Sequence, residues 1–180
     1  MKPHYIYIPG LGTAINGLRR LGLLTWRLRG RSVSMVPMNW DDADEPYQDK
    51  LRRVVDEIKV HSDRPIILVG ESAGGPIAVQ ALLAESERVS SVRTYCGYNS
   101  GAQHIHDIQR QTHPAFVEIV RRNDADMAAI QAEADRITTV YSTLDRMVAP
   151  ERSRIIGARV LRMRVPIHQL AIAYAILTCK

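Results

Sequence analysis

Gly70-Glu71-Ser72-Ala73-Gly74 sets a hydroxyl between two glycines, directly after Ile66-Ile67-Leu68-Val69 and directly before an apolar run to Ala84. Three fixed residues at about 7% abundance coincide by accident only about once in 3,000 positions, and the flanks narrow the reading further. A strand that turns sharply into a helix at G-x-S-x-G holds the serine on a tight bend, where the glycines remove side chains that would clash and Oγ stands clear of the sheet. A helix-capping serine accounts for the hydroxyl but not for the glycines on both sides. Such a hydroxyl is a weak nucleophile until a base takes its proton, so the motif predicts a histidine and an orienting carboxylate elsewhere in the chain.

The elements that must position Ser72 alternate. Tyr5–Ile8 reads as a strand closed by Pro9-Gly10, and Ile15 to about Arg29 as a helix. Val33–Val36 reads as a second strand. From Tyr47, the apolar residues Leu51, Val54, Val55 and Ile58 recur at helical spacing opposite Arg52, Arg53, Asp56 and Glu57. Ile66–Gly70 is a continuous aliphatic run of the kind found in central parallel strands covered on both faces. Ala73–Ala84 reads as a buried helix, and Val92–Cys96, Ile137–Tyr141 and Arg159–Val165 complete a set of six strands. In the last, Leu161, Met163 and Val165 alternate with Arg162 and Arg164, as suits an edge strand. Alternation of this kind predicts an α/β fold: a three-layer α/β/α sandwich with a mostly parallel sheet of about six strands, in one domain spanning residues 1–180. Only residues 97–136, between the fourth and fifth strands, leave room for a lid, with helical patches at Pro114–Arg121 and Asp126–Ala134. Leu170–Leu177 reads as a buried helix, too short to span a membrane.

From Tyr5 to about Thr178 the sequence resembles the α/β-hydrolase family, and in size its small lidless lipases and esterases. The resemblance implies a triad in chain order serine, acid, histidine, with the acid and the histidine in loops after successive strands. Tyr141-Ser142-Thr143-Leu144-Asp145-Arg146-Met147-Val148-Ala149-Pro150 looks like the acid loop, and Val165-Pro166-Ile167-His168 supplies the histidine. Ser72 is then the nucleophile, His168 the general base and Asp145 the residue that holds its tautomer. An imidazole, ordinarily titrating near pH 6.5, suits that role at neutral pH. The resemblance also implies an oxyanion hole from two backbone N–H groups. One is that of Ala73; for the other, the loop Pro9-Gly10-Leu11-Gly12-Thr13 offers Leu11, with Gly10 and Gly12 allowing close approach. Many members carry His-Gly here, where this chain has Pro9-Gly10. The loop lacks the G-x-G-x-x-G spacing of a dinucleotide site.

Glu71, Trp40, Tyr98 and Asn99 stand at or near the carboxyl ends of strands, where such sheets bind ligands, and are candidate substrate contacts. For Trp40, plain packing is an equal reading. His104, His106 and His113 have no accompanying carboxylate or cysteine cluster, so no metal and no organic cofactor is expected.

Charge and composition exclude other classes. The formal net charge is +5, but the arginines, at 19, 20, 27, 29, 31, 52, 53, 121, 122 and 152–164, are dispersed among apolar segments. They read as solvated faces and not as a nucleic-acid surface. The N-terminus has no signal-peptide stretch, and Cys96 and Cys179 make no disulfide framework, which together fit a cytoplasmic protein with neither a membrane nor a nucleic-acid partner. The expected function is hydrolysis of a small-molecule carboxylic ester through an acyl-serine. The alternatives are a thioesterase or amidase on the same machinery, or a non-catalytic hydrolase-like binding protein.

Overall fold

The computed structural model describes residues 1–165 and 168–178. Strand β1 (His4–Ile8) leads through a 3-10 turn at Thr13–Ile15 into α1 (Asn16–Leu28), followed by β2 (Ser32–Met35), α2 (Tyr47–Val60), β3 (Ile66–Glu71), α3 (Gly74–Ala84) and β4 (Val89–Tyr95). Then come α4 (Asp107–Thr112), α5 (Pro114–Ala125), α6 (Met127–Ala132), β5 (Ile137–Ser142), α7 (Pro150–Ser153), β6 (Arg159–Met163) and α8 (His168–Thr178). The six strands form one sheet in the order β2-β1-β3-β4-β5-β6, and every neighbouring pair is parallel. The expected three-layer α/β architecture is therefore the observed one, with its strand ends displaced by a few residues.

The period of two along β1 divides the core. Ile6 and Ile8 face one layer, with Leu68 and Val92 of the adjoining strands and Ile77, Phe116 and Val120 of the helices above them. Tyr7 faces the other, with Val69 and Tyr95, beneath Leu23 and Trp26 of α1 and Ala171, Ile172 and Ile176 of α8. Leu23 and Trp26 are three residues apart on α1 and so share its inner face. The Trp26 indole N–H donates to the carbonyl of Ile176 at 2.6 Å, tying α1 to α8.

The likeness to small lidless members holds, and two other expectations change in part. Residues 97–136 do not form a lid of helices: α5 packs on α2 and α3 as part of a helical layer, and the segment borders the cleft described below through Tyr98, His104, His106, Gln109 and Phe116. The β6 strand is at the sheet edge, and its alternation buries a face only in part: Met163 and Val165 pack against the core, while Leu161 is exposed with Arg162 and Arg164. An outermost strand with no further neighbour has little to pack its apolar side chains against. The α8 helix is only partly buried, with Leu170, Tyr174 and Leu177 about half exposed, because one helix on a sheet can turn only one side inward. Pro166, Ile167 and Cys179 lie outside the described residues, whose helices include none long and apolar enough to cross a membrane.

Candidate active site

The bend at Ser72 is built from the glycines beside it. A Cβ on Gly70 would lie 2.6 Å from the carbonyl oxygen of Gly74, and one on Gly74 2.2 Å from that of Ile8. Neither position has room for a larger residue. Ser72 itself has φ 49°, a conformation that costs a non-glycine residue about 1–3 kcal/mol and persists only where the surroundings enforce it. Three backbone bonds do so: the Ser72 N–H donates to Tyr95, and the Ser72 carbonyl accepts from Gly75 at 3.0 Å and Tyr98 at 3.2 Å. Oγ is thereby held at the start of α3, beyond the carboxyl end of β3.

His168, the first residue of α8, places Nε2 at 3.0 Å from Ser72 Oγ and Nδ1 at 2.6 Å from Asp145 Oδ2. An ionised carboxylate only accepts, so Nδ1 carries the proton and Nε2 is free to accept from the hydroxyl. The second carboxylate oxygen, Oδ1, accepts from the backbone N–H groups of Met147 (2.8 Å) and Val148 (3.1 Å). Burial by itself would raise the Asp145 carboxyl, but the His168 hydrogen bond and charge and the two backbone donors outweigh it and lower its pKa. The anion that orients the imidazole is thus maintained. The three residues named from the sequence converge, and the arrangement can pass a proton from Oγ to the imidazole and stabilise the resulting cation.

The loop after β1 presses on the nucleophile: a Cβ at Gly10 would lie 2.8 Å from that of Ser72. Leu11 follows on the wall of the cleft, and Ala73 follows Ser72 at the cap of α3. Among the described residues nothing accepts a hydrogen bond from the N–H of either Leu11 or Ala73. Two free donors beside the nucleophile are what an oxyanion needs. Gly12 differs from expectation, since a Cβ there would meet nothing within 4 Å; its requirement is a φ of +85°, at which the chain turns into α1.

Of the substrate-contact candidates, Tyr98 and Glu71 line the cleft with Ser72, and Trp40 and Asn99 do not. Trp40 is buried, its indole N–H donating to the carbonyl of Pro9 at 2.9 Å and its ring edge-on to Phe116. Asn99 is fully buried and braces loops, donating through Nδ2 to Thr94 Oγ1 and to the carbonyl of Ser153. Glu71 reaches the cleft wall, but both of its oxygens are engaged: Arg19 Nη2 donates to Oε1 at 2.5 Å, Arg19 Nε to Oε2 at 2.9 Å, and the Tyr7 hydroxyl also to Oε2.

The Arg19 guanidinium is the residue the sequence reading missed. Counted there among solvated arginines, it is 4% exposed and faces a Glu71 that is 2% exposed. It also donates to the carbonyls of Leu11 (3.0 Å) and Gly12 (2.7 Å), so one guanidinium ties the residue before the nucleophile to the loop that carries Leu11. Its signal was its register: Arg19, Leu23 and Trp26 fall at i, i+4 and i+7, one inward stripe of α1. Burial, then the adjacent Glu71 carboxylate, push the Tyr7 phenol well above its ordinary value, keeping it a donor. Arg19→Met is expected to destabilise the fold by about 3–5 kcal/mol in urea unfolding, because it leaves a buried carboxylate without its cation. Arg19→Met combined with Glu71→Leu should recover part of that loss. A cost under about 1 kcal/mol for the single variant would show that the pair is not desolvated.

Cys96, expected within a strand, lies just past β4 at φ 47° and is buried against Asp145 and His168. Burial and the Asp145 charge push its thiol up to about 12, so it stays neutral beside the triad. Ligand atoms of Cys96, Asp145 and His168 lie within 4.8 Å of one another, but the last two are already committed to each other and to Ser72. Among the described residues His104, His106 and His113 do not form a ligating cluster.

No protein-family model and no curated protein matches this sequence. Its architecture, however, is shared widely. Mouse alpha/beta hydrolase domain-containing protein 10 superposes with a TM-score of 0.71 at 14% identity, covering 99% of this chain and 88% of that one. A metagenome-derived lipolytic enzyme gives 0.70 at 14% identity, over 99% of this chain and 93% of that one. A monoacylglycerol lipase of Paleococcus ferrophilus gives 0.62 at 13%, over 99% and 96%. Agreement over nearly the full length of both partners, with the strand-turn-helix bend at Ser72, identifies the architecture of this chain as the α/β-hydrolase fold.

Proposed function

We propose that the protein is a serine hydrolase of the α/β-hydrolase family that cleaves carboxylic esters through an acyl-serine intermediate. The observation that carries this reading is the unbroken hydrogen-bonded series from Asp145 through His168 to Ser72 Oγ, opening on a cleft of about 890 Å³. A satisfied structural histidine has no need of a strained serine at its free nitrogen, nor of an anion held at the other.

In the first half-reaction Oγ attacks the ester carbonyl carbon as its proton passes to His168 Nε2. The oxyanion is met by the N–H groups of Leu11 and Ala73, and the carbon–oxygen bond to the alcohol then breaks as Nε2 returns the proton to the departing oxygen. Water repeats the sequence on the acyl-serine, giving a proton to Nε2, and the acid leaves as Oγ is reprotonated. This chemistry needs no metal and no organic cofactor. The lipolytic enzymes among the structures of the same fold support an ester as the bond cleaved.

The test is covalent labelling by a fluorophosphonate, with tryptic mapping of the adduct, alongside turnover of p-nitrophenyl butyrate, butyryl-thioester and butyranilide. Labelling confined to Ser72 with the oxygen ester turned over fastest is expected. A protein that neither labels at Ser72 nor turns over any of the three would sink the proposal, and preference for the thioester or the anilide would replace its ester term.

A further inference from the structure

Helix α1 leaves unusually large aliphatic side chains in solvent, with Leu18 71% and Leu21 63% exposed, and α8 does the same with Leu170 at 53% and Leu177 at 48%. Surface leucines scattered singly need no explanation, but these line one continuous trough. The two helices meet at Gly22, where a Cβ would lie 3.0 Å from Ile176 Cγ2, and Gly22, Thr25 and Ile176 all line the trough. Its other end is walled by Ser72 and His168. From Ile15 to Thr25 the trough follows about 15 Å of helix axis. The same cleft has a second wing of mixed character, where His104, His106 and Gln109 join Tyr98 and Phe116.

We infer that the trough between α1 and α8 seats the aliphatic acyl chain of the substrate, so that the esters cleaved are those of unbranched medium- and long-chain fatty acids. The inference rests on the serine-hydrolase reading and adds a substrate class and a place for it. The occupant follows from the chemistry of the walls and from what they join. The trough is largely aliphatic, its charged wall residues Arg19 and Glu71 are paired to each other, and it adjoins the atom that becomes acylated. The acyl group is also the part of an ester that must stay in place while water replaces the alcohol, so it gains most from a fixed seat. The wing with the two histidines and Gln109 is left for the more polar alcohol. Gly22 is then the residue that determines depth, since a side chain there fills the slot between the helices.

The experiment measures kcat/KM over p-nitrophenyl acetate, butyrate, octanoate and dodecanoate for wild type and for Gly22→Leu. Titration of wild type with sodium decanoate, followed by chemical-shift changes in α1 and α8, is run beside it. Each buried methylene is worth about a three- to fourfold gain. Wild type is therefore expected to favour octanoate over acetate by at least about a hundredfold, and Gly22→Leu to lower that ratio at least about tenfold. Thr25→Trp, on the same wall one turn further along, should lower the dodecanoate-to-octanoate ratio and serves if Gly22→Leu does not fold. Decanoate should perturb both helices. A flat chain-length profile in an enzyme that labels at Ser72 overturns the trough while leaving the hydrolase reading intact. Decanoate shifts in α1 and α8 without labelling or turnover would keep the apolar site and remove the hydrolase. Neither shifts nor chain-length preference overturns the inference outright.

Discussion

Ser72→Ala is expected to lower kcat by about a millionfold, the loss seen when a triad serine is removed from a protease of this chemistry. The size of the effect follows from what disappears. Alanine at this position has no oxygen to form the acyl intermediate, and His168 Nε2 is left facing a methyl group at the position where Oγ stood 3.0 Å away. Nothing nearby substitutes: the neighbouring thiol, Cys96, is buried and held neutral. Residual rate over water then comes only from substrate binding and the backbone donors. The fold should survive, because the three backbone bonds at residue 72 use main-chain atoms that alanine also supplies. Stopped assays on p-nitrophenyl butyrate, with circular dichroism as the folding control, measure the effect. A folded variant that keeps more than about a hundredth of wild-type activity removes Ser72 from the mechanism.

Asp145→Asn is expected to cost about ten-thousandfold in kcat, by analogy with the same exchange in a serine protease triad. Here the backbone explains why the amide cannot rotate to escape the problem. Oδ1 accepts from the N–H groups of both Met147 and Val148, so the asparagine carbonyl is required at that position. Its NH2 is then directed at His168 Nδ1, which must accept. The imidazole proton moves to Nε2, and a nitrogen carrying a proton cannot take one from Ser72. The variant keeps its shape and presents the wrong tautomer. Fluorophosphonate labelling of Ser72 should slow in parallel with turnover, since both need an activated hydroxyl. Turnover within about tenfold of wild type would mean that Asp145 does not govern the tautomer.

Much of this was legible before any coordinates, for a local reason. The glycines around Ser72, the strand before it and the helix after it lie within one short segment, where steric rules act directly on sequence. Parallel strands buried on both faces announce themselves as aliphatic runs, and Ile66 to Val69 did so. The sequence reading lost ground where one position serves two constraints. Asn99 and Trp40 occur in loops at the carboxyl ends of strands, as ligand-binding residues do, yet each spends its polar group on a backbone carbonyl of another segment. Glu71 stands beside the nucleophile and is consumed by Arg19 and Tyr7.

By itself, the sequence determined the alternation of strands and helices, the bend at Ser72, and the candidates Asp145 and His168 in the order that a serine triad takes. Those features depend on spacing along the chain. Only the tertiary structure decided that His168 reaches across 96 residues to Ser72, that Arg19 turns inward to join the elbow to the Leu11 loop, and that α1 and α8 leave an aliphatic trough between them. The physical reason is that charge pairing and burial are properties of distance in space. An arginine 52 residues from its glutamate, or a leucine exposed because its helix has a partner on one side only, carries no mark of that fact in the residues beside it.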